Sequence, residues 1–537
     1  MVLSLALIVS IVAACSGNDN QTQTDPTPAP ASNDQGDTAT PADPPDDDDH
    51  FTISWFTMSL GDGPMQNGTR GQTLIEEAMN VTIEMVSYDW REPDQISLML
   101  AEGNIPDVFS TGGNHPGGVF AMLIDQGLVR PLDEAMVREH APSFAAAMDD
   151  IAGEQGWGYG THNGVLYGLA RPYAPSQNAF SNLVIRTDWM ANVGITKVPE
   201  TLDELEALLQ AWKDGDPTGT GAKVYGLHSY DHQFHHIFGA FGSTSNWDAL
   251  NNWQIVGDKV MCSPTTDGYK EALKLLADWY DKGFIDPDFP IEIWQRAISW
   301  EKFNTGMIGI LEADPGWLGD DDAYLGWNGP LAVLTNNDPD SSYAFMNTIK
   351  GPGGQGGSMS YFPVYDRLVI SKDVSDAKLI RILQMIELVN SDPYWQWLAY
   401  WGEEGIDWEI GDDGIAVQTE GSYERLNSEI GGMGIGFLAM PMDMFTMTRT
   451  PSNRLAYEHD KANVARIPQF HWNNFGSSPA IDDYGEELHT VSEEYFINAV
   501  TGRIDIDSTW DDFLAQWRAM GGAQAEEEIN ALYQASK

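Results

Sequence analysis

The chain has 537 residues, with 80 acidic against 28 basic side chains and a net charge of −52. So acidic a chain repels nucleic acid and anionic membrane surfaces, which excludes both as ligands. Two cysteines, Cys15 and Cys262, do not make a disulfide framework.

Residues Leu3–Ala14 form an almost wholly apolar run that ends in Val12-Ala13-Ala14, directly before Cys15. The run is too short to anchor in a bilayer and has the pattern of a signal peptide at residues 1–14. No Lys or Arg precedes it, so the usual basic stretch is missing and a start further upstream is expected. The small residues before Cys15 resemble the lipobox of bacterial lipoproteins. That resemblance implies acylation of Cys15 and a chain anchored by lipid on the extracellular face of the cell membrane. The alternative is an ordinary signal peptide with a chance cysteine.

From Ser16 to His50 there is no aromatic residue and no Leu, Ile or Val, and the stretch ends in Pro44-Pro45 and four Asp. Such a composition cannot bury enough apolar surface to offset its ordering entropy, so residues 15–50 read as an extended acidic tether. The remaining acidity lies on the folded body. It reads as a solvating surface suited to high salt or, alternatively, as a partner for a cationic ligand. Nineteen Trp suit stacking on sugar rings but also suit large cores.

The body opens with a strand at Phe51–Met58. Helical spacing follows at Gly68–Met79, then an alternating, β-branched strand at Val81–Val86. Asp94–Ala101 reads as a helix and Pro106–Ser110 as a short buried strand. This β-α-β-α-β rhythm implies a parallel sheet flanked by helices, with ligands beyond the carboxyl ends of its strands. The loops Met58–Gly63, Ser87–Trp90 and Thr111–His115 then fall on a cleft wall. Much later, Phe362–Lys372 reads as a strand and Asp376–Val389 as an amphipathic helix, an αβ unit returning to the first sheet.

Several stretches together carry a family resemblance. They are Leu98–Asp107 (LMLAEGNIPD), Leu166–Pro172 (LYGLARP), Ile185–Met190 with Val193–Ile195 and Pro199–Glu204, Lys350-Gly351-Pro352, Trp401–Trp408 (WGEEGIDW) and the tail Phe496–Lys537. Their order resembles that of the family 1 extracellular solute-binding lipoproteins of bacterial ABC importers, in the large branch that includes oligosaccharide binders. The resemblance implies an α/β, two-lobed periplasmic-binding-protein-like fold with the ligand in the cleft between lobes. It maps lobe one to 51–175 plus 350–400 and lobe two to 176–349 plus 401–537. It also implies hinge closure about an oligosaccharide, delivery to the transmembrane subunits of an ABC importer, a monomer, and no cofactor.

Candidate ligand contacts follow from that map. Trp401, Glu404 and Trp408 offer two stacking faces and a hydroxyl acceptor, or else a helix cap with Trp packed beneath it. Glu312, Asp314 and Trp317 lie on the loop that faces ligand in the family; Asp314 reads equally well as the cap of the Pro315 turn. Trp90 ends a strand, in the core or on the cleft. Arg171 and Tyr173 lie near the first interlobe crossing, and Arg171 reads as a salt-bridge partner or as a bidentate donor to an acidic sugar.

Two further motifs touch metals. If His228–His236 were helical, His228, His232 and His235 or His236 would share one face, a spacing fit for Zn²⁺ or Ni²⁺. The Glu of a HExxH protease motif is absent. Asp214–Gly226 resembles the calcium loop of relatives and keeps Asp216. Thr218, Thr220 and Val224 stand where oxygen-rich ligands are needed, so strong Ca²⁺ binding is not expected. No catalytic constellation stands out, because paired carboxylates are inevitable among 80 acidic residues. The leading reading is a non-catalytic carbohydrate receptor. The alternatives are a secreted carbohydrate-active enzyme and a metal or peptide receptor of the same architecture.

Overall fold

The computed structural model describes residues 49–58, 65–88, 99, 103, 105–111, 119–173, 181–228, 234–245, 253–292, 296–318, 329–359, 364–411, 414–431, 439, 442–449, 451–472, 475 and 478–537. Cys15, the tether to residue 48, Trp90, His232 and most of the expected helix Asp94–Ala101 lie outside them. All described residues belong to the unit Pro44–Lys537.

Phe51–Met58 pairs in parallel with Val81–Tyr88, from Phe51 opposite Val81 to Met58 opposite Tyr88. Its other edge pairs in parallel with Val108–Ser110. The expected parallel sheet holds for these three strands only. Val364–Ile370 then runs antiparallel to Val108–Ser110 and to Gly168–Pro172, which makes the sheet mixed. A late segment that enters from another part of the molecule is not bound by the β-α-β crossover that forces parallel neighbours.

Strand alternation sends side chains to two cores. Trp55, Val108 and Leu368 face one, where the helices Arg70–Met79 and Asp376–Ser391 add Ile75, Ile382, Leu383 and Ile386. Phe56, Phe109 and Val369 face the other, against Phe120 and Leu123. Both helices start on a hydroxyl cap: Thr69 accepts from the Gln72 N–H and Ser375 from the Lys378 N–H.

A second sheet has the order Tyr343–Phe345, Asn182–Arg186, Ile308–Ala313, Tyr225–Leu227. Ile185 and Ile310 point into a large core with Trp189, Leu208, Trp212, Trp279 and Phe496. Val184 and Leu311 point the other way, onto Phe303 and Leu331. The fold is therefore α/β with two separately cored sheets, the two-lobed architecture. The chain leaves the first sheet after Pro172, enters the second at Asn182, returns by Val364, and departs again after the helix Pro393–Tyr400.

The connecting segments bind both sides. Lys350 exchanges backbone hydrogen bonds with Glu200 and Leu202, and the Ser358 N–H donates to the Ala465 carbonyl. Gly351 packs so closely on the Ala240 carbonyl oxygen that a Cβ would stand 1.8 Å from it. Further on, the Gln66 N–H donates to the Asn427 carbonyl, and Arg70 pairs with Glu403 and Asp407.

Eleven of the nineteen Trp are buried in these cores, so the Trp content mainly reflects packing rather than sugar contacts. Cys262 is likewise buried, with its thiol pushed up by burial.

Candidate functional site

One candidate site gathers residues from both sheets' surroundings: Tyr173, just after Gly168–Pro172, and Tyr457, which packs on Gly316 in the turn after Ile308–Ala313. Its frame is an aromatic cluster of Tyr400, Trp401, Trp408, Ala416 and Met444, against which half-buried Tyr173, Trp397 and Tyr457 pack. The helix Pro393–Tyr400 starts on the Asp392 carboxylate, which accepts the Tyr394 N–H at 2.8 Å, with Pro393 in its first turn. It ends at Trp401, whose N–H, like that of Gly402, returns to the Trp397 carbonyl.

Gly402 has φ +98, and a Cβ there would meet the Asp407 carboxylate at 2.2 Å, so this turn requires glycine. Asp407 is fully buried; it accepts the Glu403 N–H at 2.8 Å and pairs with Arg70. The Trp408 indole N–H donates to the Gly402 carbonyl at 3.0 Å, which closes the loop. Trp408 then stacks on Trp397 with centroids 4.1 Å apart, and Trp401 lies nearly parallel to Tyr400 at 5.6 Å.

The expected contacts divide on this frame. Trp401 (0% exposed) and Trp408 (3% exposed) are packing residues of the cluster in this structure. Glu404 is exposed. Tyr173, from the end of the first sheet, joins the same cluster, so the fold brings three of the expected residues together from distant segments.

Asp314 follows the strand Ile308–Ala313 and accepts the Gly316 N–H at 2.6 Å, the turn-capping role. The turn Pro315–Trp317 is held by Asn453, whose side-chain amide donates to the Pro315 and Gly316 carbonyls. Gly316 sits so close to Tyr457 that a Cβ would stand 2.9 Å from the phenol oxygen. Trp317, half-buried, packs on the second sheet's outer core.

Around Tyr173 the charges converge. Burial pushes its phenol pKa up, Arg449 and Arg171 pull it down, and Asp314 pushes it up further. Trp397, Tyr457 and Arg449 were not singled out from the sequence. The aromatic run Tyr394-Trp395-Gln396-Trp397 was a usable signal for the first. Tyr457 and Arg449 lie in ordinary helical and loop sequence and offer none.

Glu312 faces elsewhere. It lines an enclosed pocket with His228, His236, Phe234 and Ile310, accepts the Ser181 hydroxyl at 2.9 Å, and faces the backbone N–H groups of His235 and His236. Burial pushes its carboxyl pKa up from 4.5 to about 7, against those hydrogen bonds. Between these two values the unfolded chain has already released the proton that the folded chain still holds. Stability from this group is therefore full below about pH 4.5 and falls as pH rises through about 7, by on the order of 3 kcal/mol. Glu312→Gln should flatten that decline, which urea unfolding across the interval measures; an unchanged slope would count against it.

The histidines do not form one helical face. His228 follows the strand Tyr225–Leu227, the helix begins only at His235, and His232 lies outside the described residues. The run breaks because Phe234 adopts φ +35 just before the helix. His236 Nε2 donates to the Ser181 carbonyl at 3.0 Å, and His235 Nδ1 is 2.7 Å from the Ser245 hydroxyl.

His228 instead lies 3.2 Å from Asp286 and 3.4 Å from Glu292, a donor set that could hold a metal ion. The Lys302 ammonium stands between the same two carboxylates at 2.5 Å from each and supplies the positive charge from within the chain. Although burial opposes it, hydrogen bonds from His228 and Lys302 hold the Asp286 carboxyl down at about 2.

In the Asp216 loop one carboxylate oxygen accepts the Gly221 N–H at 2.9 Å and the other the Thr218 hydroxyl at 3.1 Å. Thr218 and Thr220 bond to each other at 2.7 Å. The oxygens of this turn thus satisfy one another's donors.

Two cored sheets, repeated crossings and an aromatic site drawn from both sheets' surroundings define a two-lobed binding protein. Residues 73–381 match the family described as bacterial extracellular solute-binding protein, and the chain belongs to that family. It is similar to the polygalacturonan/rhamnogalacturonan-binding protein YtcQ of Bacillus subtilis, 24% identical over 91% of this chain and 93% of YtcQ. Lipoprotein LipO of the same organism is 24% identical over 70% of this chain and 72% of LipO. Among solved structures, the Streptococcus pneumoniae ABC-transporter substrate-binding protein FusA in complex with kestose has the same fold. It has a TM-score of 0.64 and 19% identity, covering 90% of this chain and all (100%) of FusA.

Proposed function

We propose that this chain is the extracellular carbohydrate-binding component of an ABC importer, which closes about an oligosaccharide and delivers it to the transmembrane subunits. The observation that carries the reading is the aromatic site itself: Tyr173 ends the first sheet, Tyr457 packs on the turn that ends a central strand of the second, and Trp397 bridges to the crossing segment. Aromatic faces suit the C–H faces of sugar rings. A site built on both sheets lets a ligand stabilise the closed state. The names of YtcQ, a polygalacturonan/rhamnogalacturonan-binding protein, and FusA, a fructooligosaccharide ABC transporter substrate-binding protein, point to the same ligand class.

The lobe partition of this reading is 51–175 with 350–400, and 176–349 with 401–537. The hydrogen bonds of Lys350 and Ser358 favour moving the second crossing towards residue 360, and the Arg70 pairs fasten residues 403–407 to lobe one. The protein acts as a monomer and returns its glycan unchanged, since the site offers stacking and hydrogen bonding rather than a pair of positioned carboxylates. Cys15 carries the lipid anchor, in keeping with a relative called a lipoprotein.

A thermal-shift screen of oligosaccharides, with metal ions and peptides as controls, tests the ligand class. Ligand at about 100 times its dissociation constant should stabilise by about 2.7 kcal/mol. A shift with metals or peptides alone would overturn the reading. For the anchor, Cys15→Ser should move the protein from the membrane fraction to the medium; unchanged retention would remove the lipid from the proposal.

A further inference from the structure

We propose that the enclosed cavity beside Glu312 is a binding site for one internal water molecule, which bridges His236 to Glu312. The cavity offers about 10 Å³ to the centre of a water molecule, room for a single one. Its walls are mostly apolar, among them Leu183, Ile237 and Ile310, but His228, His236 and Glu312 line it too. A cavity lined only by apolar groups stays dry; one that exposes a buried acceptor and a carboxyl group to the same small space takes up water.

His236 supplies the deciding atom. The residue is buried, and its Nε2 donates to the Ser181 carbonyl at 3.0 Å. That bond puts the ring proton on Nε2 and leaves Nδ1 as a lone-pair acceptor. Among the described residues nothing donates to Nδ1. Burial lowers the imidazole pKa to about 4, so near neutrality Nδ1 keeps its lone pair. A buried acceptor without a donor carries its full desolvation cost, and a water O–H removes that cost nearly as well as a direct partner would. Glu312 is the second partner. It accepts the Ser181 hydroxyl at 2.9 Å and faces the backbone N–H groups of His235 and His236. Water suits this group in either protonation state, as a donor to the carboxylate or as an acceptor from the carboxyl O–H. His228 is not a third partner, because its nitrogens lie 3.2 and 3.4 Å from Asp286 and Glu292. The bridge thus joins the two side chains that hold Ser181, one by its carbonyl and one by its hydroxyl. Ser181 directly precedes the strand Asn182–Arg186, where the chain arrives from the first sheet.

The test is a high-resolution crystal structure of the full chain, solved beside its His236→Phe variant. The wild type should show one isolated density peak in the cavity, about 2.7–3.2 Å from both His236 Nδ1 and a Glu312 carboxyl oxygen. The peak should be lost in His236→Phe, which keeps a ring of similar size but offers no acceptor. In solution, magnetic relaxation dispersion of the solvent should count one long-lived water fewer in the variant than in the wild type. A melting curve shows whether His236→Phe folds, and if it does not, the wild-type density decides alone. A wild-type cavity without a peak, a peak that touches neither side chain, or a peak that survives in His236→Phe would overturn the proposal.

Discussion

Lys302→Met should destabilise the protein by about 3–5 kcal/mol, the cost of leaving buried carboxylates without their counter-charge. Lys302 is 7% and Asp286 1% exposed, and the ammonium pairs with both Asp286 and Glu292. The pH dependence of the loss has a definite sign. Asp286 is held at about 2, below its ordinary 3.8, so its stabilising contribution is present above about 3.8 and disappears as pH falls through about 2. The gap between wild type and variant should therefore be widest near neutrality and narrow below about 3.8. Urea unfolding at several pH values reads both features. An unchanged midpoint near neutral pH would mean that Lys302 does not compensate this cluster. Zn²⁺ should not raise the melting temperature of the wild type, because the ammonium already occupies the cation position between the carboxylates.

The second large effect separates the packing from the contact aromatics. Trp401→Ala should cost about 3–5 kcal/mol of stability, since a fully buried ring stacked on Tyr400 leaves a cavity that the closed Trp401–Trp408 loop cannot collapse. Trp397→Ala and Tyr457→Ala remove rings that are only half-buried. These two should weaken binding of the best oligosaccharide from the screen by about 1–3 kcal/mol, with smaller losses in melting temperature. Chemical unfolding and calorimetry on the same three variants decide the matter. If Trp401→Ala kept full stability and lost only affinity, the ring would belong to the ligand surface. If neither half-buried ring affected affinity, the aromatic cluster would not be the site.

Much of the architecture was legible in the sequence because it is carried by local pattern. The strand patterns at Phe51–Met58 and Val81–Val86 and the 3.6-residue spacing of Leu379, Ile382, Leu383 and Ile386 act within a few residues of themselves. The glycine turn at Trp401–Trp408 was likewise visible as a turn. The shared face of the histidine run depended on a helix through it; instead the helix begins only at His235, after Phe234 at φ +35, and His235 and His236 bond to separate partners.

What the sequence determined, then, was the succession of strands and helices, the acidic surface, the apolar run before Cys15 and the likeness to a family of receptors. The tertiary structure alone decided which residues meet. It buried Trp401 and Trp408 while leaving Trp397 and Tyr457 half-open, sent Glu312 into a pocket with histidines, and gave Asp286 and Glu292 to Lys302. Burial and charge pairing depend on neighbours that only the packed chain brings within a few ångströms, and no local pattern of residues encodes that proximity.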